Sequence, residues 1–339
     1  MKSLGWAVRS SQAESARRHL VAEGVLRTDL GIRHEGGEVI FPLRERPAQA
    51  PTEGRVLEAE FVERGPLTSG GYRSTVALPP DRRALLPRSF DVVGDVVLVR
   101  LPSELAGDAG TVGEALLGFV PGARVVGWDQ GVHGPERLRR IVRIAGAGDF
   151  RTTHRENELR FAVDLERAYF SPRLAGEHRR FAESVRSRDR VLDLCCGVGP
   201  FALTTAQTGL PSRVTGVDLN PEAIALFSTN RSRVRADVPV EAVCAPLEEF
   251  LPRAAVSDRV VFNLPREGIK YLPQVFLTVA PGGALQYYEV TERAEQAGRW
   301  ETLRALAPEP PAWSGPKPRS VHAYSPSSDL VAYVFERTG

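Results

Sequence analysis

The sequence predicts an α/β protein whose main domain is built on a doubly wound, mostly parallel sheet. After Arg151, short apolar strands alternate with helices, which is the pattern of a parallel sheet covered by helices on both faces. The preceding segment mixes strands with a helix and indicates an α+β middle domain. A polar, proline-bearing stretch at 44–54 separates it from a small N-terminal unit. The predicted domains are residues 1–48, 55–146 and 147–339.

Length and composition agree with a chain of several globular domains. The 339 residues are 42% hydrophobic and 25% charged, which permits packed cores and excludes wholesale disorder, collagen and coiled coil. Every apolar run is far shorter than the roughly 20 residues of a membrane span. The first eight residues lack the apolar stretch of a signal peptide, so we expect a cytoplasmic protein without membrane attachment. Three cysteines, two of them adjacent, fit neither a disulfide framework nor a zinc site, and we expect no metal.

Positive charge is concentrated in the middle of the chain. The net charge is only +2, but residues 134–190 hold 14 arginines against nine acidic residues, and the whole chain has three lysines. Arginine matches phosphate oxygens with a planar fork of donors, so the cluster is compatible with an RNA partner. A solvated basic face or a coding bias would give the same count.

Local patterns predict the elements of the first two domains. A helix is predicted over 11–23, ahead of a short strand at 38–41. The middle domain has one predicted helix and three predicted strands, at 111–117 and at 76–78, 95–101 and 123–126.

Five apolar strands form the predicted parallel sheet of the last domain, and one further strand closes it. A proline-rich stretch at 309–318 is predicted to be an exposed loop before the closing strand. The five strands are residues 190–194, 213–217, 240–244, 259–262 and 283–289, and the closing strand is 329–336.

The clearest functional motif is a strand that ends near Asp193 and enters a turn containing Cys195, Gly197 and Gly199 before a helix. In sheets of this kind, ligands bind beyond the carboxyl ends of the strands, and glycines let the backbone approach the ligand. A second strand ends in Asp218, 25 residues after Asp193. A carboxylate at that place accepts hydrogen bonds from the ribose hydroxyls of a bound nucleoside. A plain tight turn with a solvated Asp218 is the structural alternative.

The turn lacks the third glycine of the GxGxxG dinucleotide motif, because Phe201 and Ala202 occupy that place. A pyrophosphate ligand is therefore disfavoured, whereas S-adenosylmethionine has an adenosine and no phosphate. A third strand runs into the turn Asn263-Leu264-Pro265-Arg266. There the Asn263 amide oxygen can orient the N–H of a planar base nitrogen, although Asn-Leu-Pro alone is a common turn.

These motifs resemble those of the archaeal and eukaryotic tRNA (guanine-37 N1)-methyltransferases, the Trm-five family. The resemblance covers nearly the whole chain, from a middle-domain segment at 89–95 to a closing-strand segment at 324–326. It implies a class I methyltransferase fold of Rossmann type, S-adenosylmethionine as cofactor, and tRNA as partner, with N1 of guanosine 37 as acceptor. The matching segments of the last domain are His154-Arg155-Glu156-Asn157, Tyr169-Phe170-Ser171-Pro172-Arg173-Leu174 with Glu177, Gly197-Val198-Gly199-Pro200-Phe201, Asp218-Leu219-Asn220-Pro221 and Asn263-Leu264-Pro265.

The resemblance also implies a role for each candidate site residue. Methylating N1 of guanine requires removal of its proton and stabilisation of charge that develops toward O6. Glu177 is the implied general base, Arg137 the implied cation, and Asn263 the residue that orients the acceptor. The implied cofactor contacts are Tyr169, Arg173, Asp193, Cys195, Gly197, Gly199, Asp218, Leu219 and Asn263, and the implied RNA contacts are Arg137, Arg139, Pro265 and Arg266.

Two departures from the family pattern affect the cofactor side. Cys195-Cys196 stands where an aromatic residue and alanine are usual, and the turn is also similar to that of uridine C5 methyltransferases. Such enzymes need a nucleophilic cysteine near the motifs at the C-terminal end of the domain, and no cysteine follows Cys244. Cys195 is therefore interpreted as a small residue in the wall of the methionine pocket. Ala245-Pro246 replaces the usual Gly-Asp beside the adenine amine, where Glu248 or backbone carbonyls would substitute.

Two other departures affect the acceptor, since Glu158 replaces a usual glycine and His178 a usual arginine. The same fold could therefore methylate another purine, such as a wyosine-type intermediate or a nucleoside-like metabolite, or serve as a non-catalytic RNA-binding homologue. Wyosine aminocarboxypropyl transferases share the scaffold, but they typically carry another acid in place of Asp218 and lack Asn-Leu-Pro. Glu177 could instead be a helix-surface acid paired with Arg173 or Arg180. We expect a monomer whose first domain grips the body of the tRNA.

Overall fold

The computed structural model describes residues 1–9, 12–27, 29–35, 37–51, 53–61, 71–308, 313–315 and 318–338. The chain divides into two compact units, Met1–Ala77 and Leu78–Gly339.

The first unit is a four-stranded antiparallel sheet with one helix. Apolar side chains from the sheet and the helix, including Trp6, Leu20 and Phe41, form its core. The predicted helix is confirmed within its described part, since Ser11 lies outside the described residues. The elements are β1 (Lys2–Arg9), α1 (Ala13–Ala22), β2 (Arg33–Glu35), β3 (Glu38–Leu43) and β4 (Gly54–Glu60), with strand order β2-β3-β1-β4.

The strand β4 lies beyond the boundary that the sequence predicts between residues 48 and 55. It pairs with β1 along its whole length, from Gly54 opposite Val8 to Glu60 opposite Lys2. The described part of the polar stretch before Gly54 thus lies between two strands of one sheet, and the sheet of the first unit extends into the predicted middle domain.

The second unit begins with an α+β portion, in agreement with the predicted fold class. The predicted helix at 111–117 lies inside α3, but the predicted strand at 76–78 is wrong. Those residues are irregular, because Pro79 and Pro80 follow and a helix starts at Pro80. The elements are α2 (Pro80–Ala84), β5 (Asp91–Val93), β6 (Val96–Val99), α3 (Ala109–Phe119), β7 (Val125–His133) and β8 (Leu138–Gly146), in one sheet of order β5-β6-β7-β8.

A two-stranded hairpin, β9 (Arg151–Glu156) and β10 (Leu159–Asp164), precedes the large sheet. Its two-residue turn places Asn157 at φ 46° and Glu158 at φ 67°, both in the left-handed region. Tight hairpin turns favour Asn followed by Gly at these positions. The glycine that is usual in place of Glu158 is therefore explained by the turn.

The predicted doubly wound sheet is confirmed, and each of its five predicted strands is present. Its order is β13-β12-β11-β14-β15-β18-β16, with β17 also paired to β18. The pairings from β13 to β15 are parallel and the closing strand is antiparallel. The elements are α4 (Ala175–Ser184), β11 (Arg190–Leu194), α5 (Pro200–Gln207), β12 (Arg213–Asp218), α6 (Pro221–Arg231), β13 (Val240–Cys244), α7 (Leu247–Phe250), β14 (Ser257–Phe262), α8 (Leu272–Leu277), β15 (Val279–Glu292), α9 (Arg299–Arg304), β16 (Trp313–Ser314), β17 (Arg319–Ala323) and β18 (Ser328–Arg337).

The central strands are buried on both faces, as their continuous apolar sequences predict. Val191 and Val261 pack into one cluster, whereas Leu192 and Phe262 pack into a second cluster on the other face. Strand order reverses between β11 and β14, so the groove for a ligand opens at the carboxyl ends of these strands. The predicted proline-rich loop falls partly outside the described residues, and in its described part the prediction of an exposed loop is wrong at Trp313–Ser314, because this short strand pairs with β18 and buries Trp313 in the core. None of the described helices is long and apolar enough to span a bilayer.

Candidate active site

A cavity of about 590 Å³ lies where the strand order reverses. The turns after β11, β12, β13 and β14 form one half of its wall, which we call the cofactor half. The β7–β8 hairpin, residues 169–174 and β17 contribute to the other half, which we call the acceptor half. The volume of the whole cavity lies within the range of small-molecule sites.

The glycine turn in the cofactor half is tightly constrained. Cys195, Gly197 and Gly199 have φ values of 63°, 54° and 90°. A Cβ atom on Gly199 would lie 2.5 Å from Cδ2 of Phe227. The turn therefore requires glycine at 199 both for its backbone conformation and for its packing.

Asp218 borders the cavity beside this turn. Its Oδ2 accepts a hydrogen bond from the Gly197 N–H at 2.8 Å, and its Oδ1 accepts one from the Asn220 N–H at 2.9 Å. Burial raises the pKa of Asp218, and these backbone donors oppose that rise. Each carboxylate oxygen has a second lone pair, so the side chain can still accept the two hydroxyls of a ribose.

Asp193 has a different position from the one implied for a cofactor contact. Its side chain is fully buried and does not border the cavity. Its Oδ2 accepts a hydrogen bond from the Ala202 N–H at 3.0 Å, and Oδ1 has no partner among the described residues. Burial raises its pKa well above the usual range. Asp193 thus anchors the first turn of α5 beneath the glycine turn.

Apolar and thiol groups complete the cofactor half. Leu219 borders the cavity with 38% of its surface exposed, and Pro246 and Leu247 lie beside it. Glu248 is also on the wall, where its carboxylate accepts a hydrogen bond from the Tyr271 hydroxyl that lowers its pKa. Cys195 borders the cavity, and burial raises the pKa of its thiol well above the ordinary value. A protonated thiol is a poor nucleophile, which agrees with its interpretation as a wall.

The Asn-Leu-Pro turn also reaches the cavity, through Asn263, Leu264 and Pro265. The Asn263 N–H donates to the Leu194 carbonyl oxygen at 3.4 Å, which ties the ends of β14 and β11 together. The Pro265 carbonyl oxygen accepts from the Val290 N–H at 2.9 Å, so this residue contributes its ring to the wall. Arg266 is exposed, with its guanidinium carbon 5.1 Å from the centre of the Tyr324 ring.

Tyr169 contacts two arginines in the acceptor half. The guanidinium carbons of Arg137 and Arg139 are 5.4 and 5.2 Å from the centre of its ring, close enough for cation–π attraction. Arg137 is half-buried and borders the cavity. Arg139 is buried, forms an ion pair with Asp129 and donates to the Phe170 carbonyl oxygen at 3.1 Å. These contacts hold Arg139 in the wall of the cavity, which it borders, and its implied contact with RNA stays a prediction.

Arg173 and Glu177, which are four residues apart, do not pair with each other. Arg173 is exposed and its Nε lies 2.7 Å from Oδ1 of Asp91. Glu177 is only 4% exposed and does not border the cavity. The alternative of a helix-surface acid paired with Arg173 is therefore wrong.

The predicted alternative partner Arg180 does lie near Glu177, but the hydrogen-bond partners of Glu177 lie far away in the sequence and sequence reasoning did not find them. Arg319 donates two hydrogen bonds to its carboxylate, at 2.7 and 2.6 Å, and the Tyr288 hydroxyl donates a third at 3.0 Å. Arg180 lies further off, with Nε 3.6 Å from Oε1. Burial raises the pKa of Glu177, but Arg319 and the other donors outweigh it and the net shift is downward.

A second buried pair, Glu156 with His178, was also missed. Nδ1 of His178 lies 2.5 Å from Oε1 of Glu156, and the imidazole packs edge-on against Phe201 with ring centres 4.5 Å apart. His178 borders the cavity, whereas Glu158 is exposed in its hairpin turn and does not. Of the two residues that depart from the family pattern near the acceptor, His178 is the one that lies on the wall of the cavity.

Comparison with known proteins finds methyltransferase relatives over most of the chain. A family model described as the TRM5/TYW2 methyltransferase domain matches residues 152–307, and a model of the TYW2 N-terminal domain matches residues 75–150. The tRNA (guanine(37)-N(1))-methyltransferase Trm5b of Pyrococcus abyssi is 32% identical over 305 residues, which is 87% of each chain. The tRNA 4-demethylwyosine(37)-methyltransferase Taw21 of Saccharolobus solfataricus is 26% identical, covering 60% of this chain and 79% of that protein.

Solved structures show the same fold over the whole chain. The crystal structure of Pyrococcus abyssi Trm5b matches with a TM-score of 0.72 at 27% identity, covering 99% of this chain and 100% of that one. The complex of aTrm5 with tRNALeu matches with a TM-score of 0.70 at 25% identity and the same coverage. With these similarities and the class I methyltransferase sheet, the chain belongs to the TRM5/TYW2 family of methyltransferases.

Proposed function

We propose that this protein methylates N1 of guanosine 37 in tRNA, with S-adenosylmethionine as the methyl donor. The observation that carries the proposal is the single cavity in which the glycine turn, Asp218 and Asn263 meet. The relative from Pyrococcus abyssi supports the same reaction, because it is a tRNA (guanine(37)-N(1))-methyltransferase and the match covers 87% of each chain.

The cofactor half of the cavity fits S-adenosylmethionine. The two Asp218 oxygens retain lone pairs for ribose hydroxyls, and the exposed part of Leu219 offers an apolar surface to a purine ring. When bound there, S-adenosylmethionine supplies an electrophilic methyl group on a sulfonium centre.

The acceptor half supplies the groups that guanine N1 requires. Forming the bond from N1 to the methyl carbon releases the N1 proton, and negative charge builds toward O6 as that proton leaves. Arg137, on the cavity wall, stabilises this charge, and Asn263 orients the base. Glu177 accepts the proton, which requires its carboxylate to turn from its buried position toward the cavity. Because its carboxylate is engaged by Arg319 and Tyr288, at least one of these contacts must rearrange when the base enters.

The proposed tRNA contacts combine stacking with phosphate binding. Tyr169 presents a ring to the cavity, and aromatic rings of this kind stack on unpaired bases. The first unit and the exposed arginines between Arg137 and Arg180 are proposed to hold the tRNA, which predicts binding that weakens steeply with salt. We expect the enzyme to act as a monomer.

A second candidate acceptor is an already modified purine at the same position. His178 favours this modified purine, because it lies on the wall of the acceptor half and replaces an arginine that is usual in the family. A relative with 26% identity methylates 4-demethylwyosine in tRNA. The ionised Glu177 and the positions of Asp218 and Asn263 on the cavity weigh against a non-catalytic homologue.

Nucleoside mass spectrometry of tRNA from a strain lacking this chain tests the proposal. We expect loss of N1-methylguanosine at position 37 and its return with the wild-type protein but not with Asn263→Ala. Loss of a wyosine-type methyl group with N1-methylguanosine retained would favour the modified purine. Unchanged tRNA would contradict both, and methyl transfer to free nucleosides by the purified protein would then identify a metabolite enzyme.

A further inference from the structure

The Glu177 carboxylate is held by a fork of donors that reaches it from the closing edge of the large sheet. Arg319, on β17, donates from one guanidinium nitrogen to Oε1 at 2.7 Å and from the other to Oε2 at 2.6 Å. Bidentate arginine pairs fix a carboxylate in position and orientation. The pair joins residues 142 positions apart, so it is a tertiary contact independent of the helix that carries Glu177.

Among the described residues, the charged and titratable groups that face Glu177 all lower its pKa. Arg319 approaches from β17, Tyr288 donates from β15, and Arg180 lies one turn further along α4 with its Nε 3.6 Å away. Gln286 donates in turn to the Tyr288 hydroxyl. Burial raises the pKa of Tyr288 well above its usual value, so the hydroxyl remains a donor across the working range of pH.

We propose that Arg319 is a positioning residue of the methyl-transfer reaction, which keeps the buried Glu177 carboxylate ionised and oriented as the proton acceptor. The inference rests on the proposed function, in which Glu177 is the general base. A proton acceptor must be ionised before the guanine enters the cavity. Only 4% of the Glu177 surface is exposed, so water cannot stabilise its charge. The guanidinium of Arg319 supplies that stabilisation.

The same strand carries residues of the cavity wall. His322 and Ala323, three and four residues after Arg319 on β17, border the cavity, as does Tyr324 just beyond the strand. A base that enters the acceptor half therefore contacts the segment that holds the fork. This geometry links filling of the cavity to the position of the Glu177 carboxylate, and provides a route by which its proton-accepting oxygen is released.

The test is the pH dependence of the single-turnover methyl-transfer rate on a tRNA transcript containing G37. Glu177 must be ionised to act, so the rate falls as pH drops through its pKa. Arg319→Gln removes the cation while burial remains, which raises that pKa and moves the fall in rate to higher pH by about one to three units. Arg319→Lys keeps a charge without the fork and is expected to show a smaller movement.

Arg231→Gln is the control, because Arg231 is exposed on α6 and lies outside the arginine cluster that is proposed to hold the tRNA; its profile should follow the wild type. Calorimetry with S-adenosylhomocysteine checks that each variant retains a folded cofactor half. A rate of Arg319→Gln that is lowered by the same factor at every pH would show a merely structural role and overturn the proposal. If Glu177→Gln keeps the wild-type rate, the base assignment of the proposed function fails as well. If Glu177→Gln is inactive and the Arg319→Gln profile is unshifted, only the present inference fails.

Discussion

Asp218 in the cofactor half and Glu177 behind the acceptor half differ in how their carboxylates are held. The Asp218 carboxylate accepts hydrogen bonds from the backbone N–H groups of Gly197 and Asn220, which are 21 and two residues away. The Glu177 carboxylate accepts hydrogen bonds from the side chains of Tyr288 and Arg319, which are 111 and 142 positions away. The first carboxylate is held by backbone donors around one turn, whereas the second is held by side chains from separate segments.

This difference predicts different consequences of mutation. Backbone donors stay in place when one side chain changes, so a change in the cofactor half should alter affinity for the cofactor and leave the rest intact. Replacing one residue of a buried ion pair leaves the charge of the other residue uncompensated, so a change in the acceptor half should alter the reaction rate or the stability. The following variants test this contrast.

The largest effect is expected for Glu177→Gln. Glutamine keeps the shape of the side chain but cannot take up the proton, so the chemical step should slow by about 100- to 10,000-fold. Cofactor affinity should stay unchanged, because Glu177 does not border the cavity. Single-turnover methyl transfer and calorimetry measure the two quantities. Glu183→Gln, an exposed acid on the same helix, is the control, and a wild-type rate in Glu177→Gln would contradict the assignment.

A comparable effect, on stability, is expected for Arg139→Gln. The variant leaves Asp129 buried without its strongest partner, which should lower the free energy of unfolding by about 3–5 kcal/mol in urea titrations. The neighbouring Arg140 is exposed, and Arg140→Gln should change stability by less than about 0.5 kcal/mol. If Arg139→Gln were instead as stable as the wild type and bound tRNA less tightly, the RNA contact implied by the sequence would hold.

The sequence predicted the cofactor half more completely than the acceptor half, for a physical reason. The strand, turn and ribose acid are local patterns, so Gly197, Gly199 and Asp218 could be placed from spacing alone, and the five parallel strands followed from apolar runs. Asp193 was misassigned because a buried acid that anchors a helix start has the same sequence context as one that faces a ligand.

The contacts of the acceptor half could not be predicted from the spacing of residues in the sequence. The spacing of Arg173 and Glu177 indicates a possible helical pair, but burial of one residue and exposure of the other decide against it, and burial depends on tertiary packing. No spacing rule joins Glu177 to Arg319. The strand β4 was likewise separated from its own sheet because a polar loop of its composition also occurs between domains.

A smaller effect is expected for Asp218→Ala in the cofactor half. Each charge-assisted hydrogen bond to a ribose hydroxyl contributes at most about 1.5 to 3 kcal/mol, so calorimetry should show weaker binding of S-adenosylhomocysteine. Asp237→Ala, an exposed acid, serves as the control. The methyl-transfer rate at saturating cofactor should fall far less than in Glu177→Gln. Unchanged affinity would show that the ribose does not lie at Asp218.

The smallest expected effect is the difference in stability between two glycine variants of the same unit. Gly199→Ala and Gly209→Ala both place a Cβ on a left-handed backbone, with φ values of 90° and 71°. The nearest atom to the new Cβ is 2.5 Å away at 199, in the Phe227 ring, but 3.9 Å away at 209. Both variants lose stability from the backbone, and overpacking should cost Gly199→Ala about 1–3 kcal/mol more. Urea unfolding of the two proteins measures the loss of stability from overpacking, since both variants lose a similar amount of stability from the left-handed backbone. Equal stabilities would mean that the Phe227 ring moves aside without cost, and that the turn is set by its left-handed conformation alone.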